Sequence, residues 1–349
     1  MKTRLLMCIV ALFALVAASC GDSDADVTEA ADTVADAVAD SADEAEEAMD
    51  DEEAMEDDAM DDEEAMEDDA VEDDTADAAM ADDEATDEAA ADVPQRIVSL
   101  NPTATEMLFA IGAGDQVVAV DQFSYFPAEA PVTDLSGYEP NVEAIAGFEP
   151  DLVITDFPLE GLDAIGIANH TVPAATNLDD IYTQIEQLGA ITGNVGGAAE
   201  VVLQMQTDID AALAGIPDRD IPLTYYHELD NTLFSVTSGT FIGYVYSLFG
   251  LENVADPADA DGSAFGYPQL NEEFLVTADP DIIFLADTLC CEQTAETVAA
   301  RPGWDQLTAV QNGNVVELND DVVSRWGPRI VEFIEAVGAA VNELQPALD

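Results

Sequence analysis

Lysine is almost missing from this chain. Of 349 residues only seven are Lys or Arg, against 76 Asp or Glu, and the formal charge is −69. The single lysine is Lys2, and beyond Arg4 the only cations are five arginines. So acidic a surface repels phosphate, which excludes nucleic acid as a partner. Histidine is equally scarce, with His170 and His227 alone, and the cysteines are Cys8, Cys20, Cys290 and Cys291. With so few imidazoles and thiols the chain carries no spaced metal motif and no nucleophile elbow. No metal and no resident cofactor are expected. After the first twenty residues no apolar run is long enough to cross a membrane.

What is present begins with a targeting signal. Lys2 and Arg4 precede an apolar run from Leu5 to Ala18, and Ala17-Ala18-Ser19-Cys20 places small residues before a cysteine. That pattern resembles a bacterial lipobox, with Ala17 where leucine is more usual, and implies a signal peptide over 1–20 with lipidation at Cys20. From Asp22 to Asp92 there are 35 acidic residues and no Lys or Arg, and DDEEAMEDD at Asp50 to Asp58 recurs at Asp61 to Asp69. Like charges outnumber the few Ala and Met, so 21–93 is expected to be a disordered acidic tether. A flexible linker of that length spans about 45 Å, and charge repulsion extends it. The expected location is extracytoplasmic, held to the cell membrane by the lipid.

Residues 94–349 are the expected folded part, enough for two lobes. It carries 41 acids against five Arg and stays strongly acidic without the tether. Its centre is the proline-free stretch from Asn177 to about Gly215. Leu178, Ile181, Ile185, Leu188 and Ile191 form one apolar stripe at helical spacing, and Asn177 is a suitable N-cap. A break at 193–197 leads to a second helix from about Ala198, with Val202, Met205, Ile209, Leu213 and Ile216 as its stripe. Joined to a compact α/β unit on each side, the segment reads as a strut, with the groove between lobes as the ligand site. The lobes are expected at 94–176 and 217–349, with linking helices at 177–216. Strands are expected at Arg96–Leu100, Val117–Val120, Asp151–Thr155, Leu223–His227, Asp281–Leu285 and Val315–Leu318, separated by helices, which means mostly parallel sheets. Gly112-Ala-Gly114 follows a helix and reads as its stop, not as a phosphate loop.

One internal match unites the lobes. Tyr138-Glu-Pro-Asn-Val-Glu143 runs on to Pro150-Asp-Leu-Val-Ile154, and Tyr267-Pro-Gln-Leu-Asn-Glu-Glu273 runs on to Pro280-Asp-Ile-Ile-Phe284. In each, a glutamate begins a helix and Pro-Asp opens a strand seven residues later. The match reads as duplication, or else as two ordinary βα units that share a common opening.

Arg96-Ile-Val-Ser-Leu-Asn-Pro-Thr-Ala-Thr-Glu106, the Glu143 to Ile154 segment, Gly266-Tyr-Pro-Gln269 and Asp321-Val-Val-Ser-Arg-Trp-Gly-Pro-Arg329 resemble the iron-siderophore/cobalamin (class III) substrate-binding proteins of ABC importers. The likeness spans nearly all of 94–349 and is strongest to the cobalamin-binding members. It implies an α/β fold of two Rossmann-like lobes joined by one long rigid helix, with a ligand cleft between them. It implies a monomer that captures a small-molecule chelate, a cobalamin or a ferric siderophore, and delivers it to a permease dimer and its ATPase. By the same resemblance Tyr267 stands where a tryptophan meets the corrin, Phe123 and Tyr138 match first-lobe aromatics, and Asp321 with Arg325 matches a ligand-contacting pair. Glu143 and Glu273 match glutamates that reach arginines on the two permease subunits. Both positions also suit the electropositive start of a helix on electrostatic grounds alone.

Other readings stay open on the residues. Cys290 and Cys291 follow a strand, where α/β ligands usually sit, and adjacent Cα atoms lie closer than an ordinary disulfide allows. They are read as packing or a redox-inert loop, as organic-ligand contacts or as soft-metal ligands. His227 and Glu228 end a strand and are expected to face the cleft. His170 is expected in a solvated Asn-His-Thr loop. A haem or metal receptor of the same fold, an enzyme using Cys290 or Cys291 with His227, and an adhesion or sensing lipoprotein are the alternatives.

Overall fold

The computed structural model describes residues 93–217 and 219–344, so the expected signal segment, Cys8, Cys20 and the expected acidic tether as far as Asp92 lie outside the described residues. Ile97-Val-Ser99 is fully buried and forms strand β1 (Ile97–Ser99), as a strand covered on both faces of a parallel sheet must be. Asn101 caps helix α1 (Pro102–Ala110): its Oδ1 accepts the N–H of Ala104 at 2.8 Å, and Pro102 fills a first-turn position that needs no donor. Strand β2 (Val117–Val120), helix α2 (Val142–Ala146), β3 (Leu152–Thr155) and β4 (Ala168–Thr171) complete the first lobe, a parallel sheet in the order β2-β1-β3-β4.

The expected strut is two helices, α3 (Leu178–Thr192) and α4 (Val195–Leu213), parted by Gly193 at φ +74°. The second begins three residues earlier than its apolar stripe suggested. Helix α3 folds back along α4 and packs on α1, while α4 reaches from α1 to the C-terminal helix of the second lobe. The bridging element is therefore α4 alone, 19 residues and about 28 Å long. Its start is fixed by close approach: a Cβ on Gly197 would lie 2.1 Å from the Ile111 carbonyl oxygen. Val202, Met205 and Ile209 from α4 belong to one apolar core that includes Ile97 and Met107 on one side and Tyr225, Phe284 and Val337 on the other. A strut glued along its length to both cores resists bending.

The second lobe comprises β5 (Thr224–Glu228), α5 (Phe241–Ser247), β6 (Glu252–Asn253), α6 (Glu272–Ala278), β7 (Ile282–Leu285), α7 (Thr288–Cys291), α8 (Ala295–Ala299), α9 (Thr308–Asn312), β8 (Val315–Glu317), α10 (Asp320–Val323) and α11 (Ile330–Glu343). Its parallel sheet has the order β6-β5-β7-β8, the same plan as the first. The likeness extends to details. Glu149 and Asp279, each just before the Pro-Asp pair, have φ of +50° and +43°. Asp151 accepts the N–H groups of Gln95 and Arg96 at 2.8 and 3.0 Å, and Asp281 accepts that of Thr224 at 2.9 Å. In both lobes the Pro-Asp carboxylate clasps the entry to the central strand.

His170 is a correction. It lies on the edge strand β4, paired with Ile154, half-buried, and burial lowers its pKa. A four-residue run of mixed polarity such as Ala168–Thr171 carries no strand pattern; the exposed edge of β3 makes it a strand.

Candidate ligand cleft

The lobes meet where the loop after β2 and helix α1 face the segment from Asp320 to Arg329. Glu106, the one charged residue in the buried stretch of α1, is 3% exposed. Its carboxylate accepts from Arg325 Nη1 at 2.8 Å, from Arg329 Nε at 2.9 Å and from Arg329 Nη2 at 2.5 Å. Arg325 also donates to the Phe123 carbonyl at 3.1 Å and to Asp321 at 3.1 Å. Asp321 in turn accepts the Tyr125 hydroxyl at 2.6 and 2.7 Å. The guanidinium of Arg325 lies 5.2 Å from the Tyr125 ring centre and that of Arg329 3.9 Å from the Phe126 ring. A buried carboxylate leaves water only when paired, and here both partners come from the opposite lobe.

Beside this cluster the first lobe presents aromatic surface. Phe123 and Tyr138 are exposed and pack edge to face at 5.8 Å. Gly137 seats that pair: a Cβ there would stand 2.4 Å from the Leu100 carbonyl oxygen and 3.0 Å from an Asp121 oxygen. Beneath lie Asp121 and Asp156, the latter hydrogen-bonded by Asn101 Nδ2. Asp156 keeps some surface open, yet protein crowds it; burial first, then the charge of Asp121, pushes its pKa up to about 7. Burial also raises Asp121 and Tyr138, the latter with help from both carboxylates. Tyr267, in the second lobe, is half-buried against the core next to exposed Phe265.

The structure thus brings Phe123, Asp321 and Arg325 together, with Tyr138 packed on Phe123. His227 and Glu228 are corrections: both are sealed in the second lobe, at 0% exposure, and do not line the cleft. His227 Nδ1 sits 2.8 Å from the Tyr246 hydroxyl, not against a thiol, and burial lowers its pKa to about 3, so the ring is a neutral imidazole at neutral pH. Glu228 is held by Arg301 through two contacts of 2.6 Å. Its neighbour Asp287 is also fully buried, with no donor on either oxygen. Burial and the adjacent Glu228 push Asp287 up to about 8. The last residues of β5 are expected at the cleft; Arg301, just beyond α8, claims that end of the strand instead.

Cys290 and Cys291 are free thiols on α7, and Cys290 is exposed. Burial, then Cys291 and the charge of Asp320, raise the Cys290 pKa, so the free thiol is protonated at neutral pH. Among the described residues no cluster of three or more His, Cys, Asp or Glu is placed to hold a metal ion. Glu143 and Glu273 are exposed, each in the first turn of a helix capped by an asparagine, Asn141 or Asn271. A separate concavity of about 340 Å³ lies by Ile216, Leu223 and Phe249, away from the cleft; its Arg219 is spent on the carbonyls of Val341 and Leu344.

The sequence reading missed Glu106, Asp121, Tyr125, Phe126, Asp156 and Arg329 as site residues. One signal existed: an acid inside an apolar helical run needs a cation, and the folded part has only five.

Comparison with known proteins fits this architecture. Residues 97–322 match the periplasmic binding protein family. A cobalamin-binding protein of Halobacterium salinarum is 35% identical over 253 residues, 68% of this chain and 67% of that protein. The vitamin B12-binding protein of Vibrio cholerae is 30% identical over 256 residues, 70% of this chain and 87% of that protein. The crystal structure of a periplasmic vitamin B12-binding protein of Vibrio cholerae superposes with a TM-score of 0.58 at 28% identity, covering 72% of this chain and 99% of that one. A haem-binding protein of the same species shares the fold, with a TM-score of 0.62 at 24% identity over 72% of this chain and 99% of that one. Two like-built parallel lobes joined by one helix, the match over residues 97–322 and these relatives place the chain in the periplasmic binding protein family.

Proposed function

We propose that this protein is the extracytoplasmic substrate-binding component of an ABC importer, anchored through Cys20, and that its ligand is a cobalamin. The observation that carries the ligand choice is the charge of the cleft. Arg325 and Arg329 are already matched by Glu106 and Asp321. The other arginines are engaged elsewhere: Arg96 by the carbonyls of Phe148 and Glu149, Arg219 by those of Val341 and Leu344, and Arg301 by Glu228. Asp121 and Asp156 have no arginine bonded to them: Asp121 feels Arg325 only at a distance, and Asp156, pushed up to about 7, is about half-ionised at neutral pH. Such a site repels the two propionates of haem and the charge of a catecholate chelate. A corrin, rimmed with amides instead of carboxylates, meets aromatic faces at Phe123 and Tyr138 and finds donors and acceptors in the acids. The relatives named for cobalamin support the same choice. Delivery follows from Glu143 and Glu273, one exposed acid at the same point of each lobe, suited to orient a two-lobed body over a two-fold permease.

Visible-absorption titration of the purified protein with cyanocobalamin, hemin and a ferric hydroxamate tests the reading. The expected result is one-to-one cobalamin binding with hemin at least tenfold weaker. Hemin bound as tightly as cobalamin would overturn it.

A further inference from the structure

Cys290 and Cys291 take no part in the contacts between the lobes, yet the carboxylate that holds their turn is that of Asp320, the sequence neighbour of Asp321. The two cysteines are sequence neighbours that close the single turn of α7. Cys290 is exposed and open to reagents in solution. The turn is not held by its own hydrogen bonds alone. The Asp320 carboxylate accepts the N–H of Thr288 at 2.8 Å, of Leu289 at 3.0 Å and of Cys290 at 2.8 Å, so a residue of α10 ties down the start of α7. Asp321, next along α10, accepts Tyr125 from the opposite lobe and Arg325 from its own segment. Any change of backbone at Thr288–Cys291 is thereby transmitted to Asp321 through one carboxylate.

We propose that Cys290 and Cys291 form a redox modification site, a dithiol that closes to a vicinal disulfide and in doing so unwinds α7, frees Asp320 and loosens Asp321 in the cleft. The oxidant class is a small-molecule disulfide. One protein thiolate attacks it and expels a thiolate; the second attacks the mixed disulfide and expels the other. One S–S bond forms in the protein, one is broken in the reagent, and the two thiol protons end on the released thiols. The eight-membered ring brings together two sulfurs whose Cα atoms are only about 3.8 Å apart, a geometry that a helical turn does not provide. The turn has little to resist with: it is four residues long and ends at Glu292 with φ +53°. The thiol protonation described above makes closure slow at neutral pH and faster in alkali.

The test uses the full-length protein in detergent, treated with glutathione disulfide, and needs no ligand for its main readout. Peptide mass spectrometry should show loss of two hydrogens from the segment holding Cys290 and Cys291. Hydrogen exchange of the 320–325 amides should quicken about tenfold, while those of 282–285 stay protected. Cys291→Ser, treated alike, should show no quickening, and reduced Asp320→Asn should reproduce it. Only mixed disulfides with glutathione, or a closed disulfide with unchanged exchange at 320–325, would overturn the proposal. Cobalamin affinity, which rests on the reading of the cleft, should fall at least fivefold on oxidation. Quickened exchange with unchanged cobalamin affinity would count against that reading and leave the modification site standing.

Discussion

Glu106→Gln is the sharpest probe of how the lobes are held. The substitution keeps the volume and removes the charge from a side chain that is 2% exposed, while the two arginines opposite are 11% and 16% exposed. Breaking a buried ion pair by removing one partner costs about 3–5 kcal/mol, because the remaining charge stays desolvated. Asp321 continues to neutralise Arg325 and both arginines keep some water, so the low end applies, about 3 kcal/mol. For a domain of this size that corresponds to a fall in Tm of about 6–12 °C. Urea melts of parent and variant at equal m-value would measure it. The same change also releases a cation into the cleft, so hemin affinity should rise while cobalamin affinity changes less. A stability loss under about 1 kcal/mol would refute the assignment of Glu106 as the buried counter-charge. Strict additivity of Glu106→Gln with Arg325→Met would refute their coupling.

Asp287→Asn should flatten the pH profile of stability. The folded pKa of about 8 lies above the ordinary 3.8, so the folded state keeps a proton that the unfolded chain releases. That contribution is complete below about pH 4 and is lost as pH rises through about 8, so the variant should melt higher than the parent at pH 9; parallel profiles would contradict it. Glu143→Arg with Glu273→Arg should leave ligand affinity intact and abolish uptake, since exposed rim charges set docking register; surviving transport in cells removes the docking role. Tyr138→Ala should weaken cobalamin by about 0.5–1.5 kcal/mol beyond lost area, read by calorimetry, and Tyr267→Ala should do the same if it meets the ring; unchanged affinity in both would remove the aromatic contact. Cys20→Ser should release the protein from the membrane fraction, and retention there would disprove the lipid anchor.

Local patterns settled a good deal from the sequence alone. Buried strands such as Ile282–Leu285 announce themselves because a parallel strand is apolar on both faces. The stripe at Ile181, Ile185 and Leu188 marked a helix, and the repeated Pro-Asp foretold two lobes of one plan, since each aspartate has the same short-range task of clasping a strand entry. Asp321 and Arg325 were singled out as a pair by the family resemblance, and their separation of four residues lets them meet on one stretch of chain. Tertiary structure decided what lay beyond that range. Glu106 meets arginines 219 and 223 residues away, and no local periodicity encodes which acid among 41 receives the few cations. It decided that α3 folds back and α4 alone bridges, because one glycine at positive φ separates a strut from a hairpin. It also sealed His227 and Glu228 inside the second lobe. A residue's place at a strand end is a property of the chain, but whether that end opens to a cleft or meets Arg301 depends on what another segment brings against it.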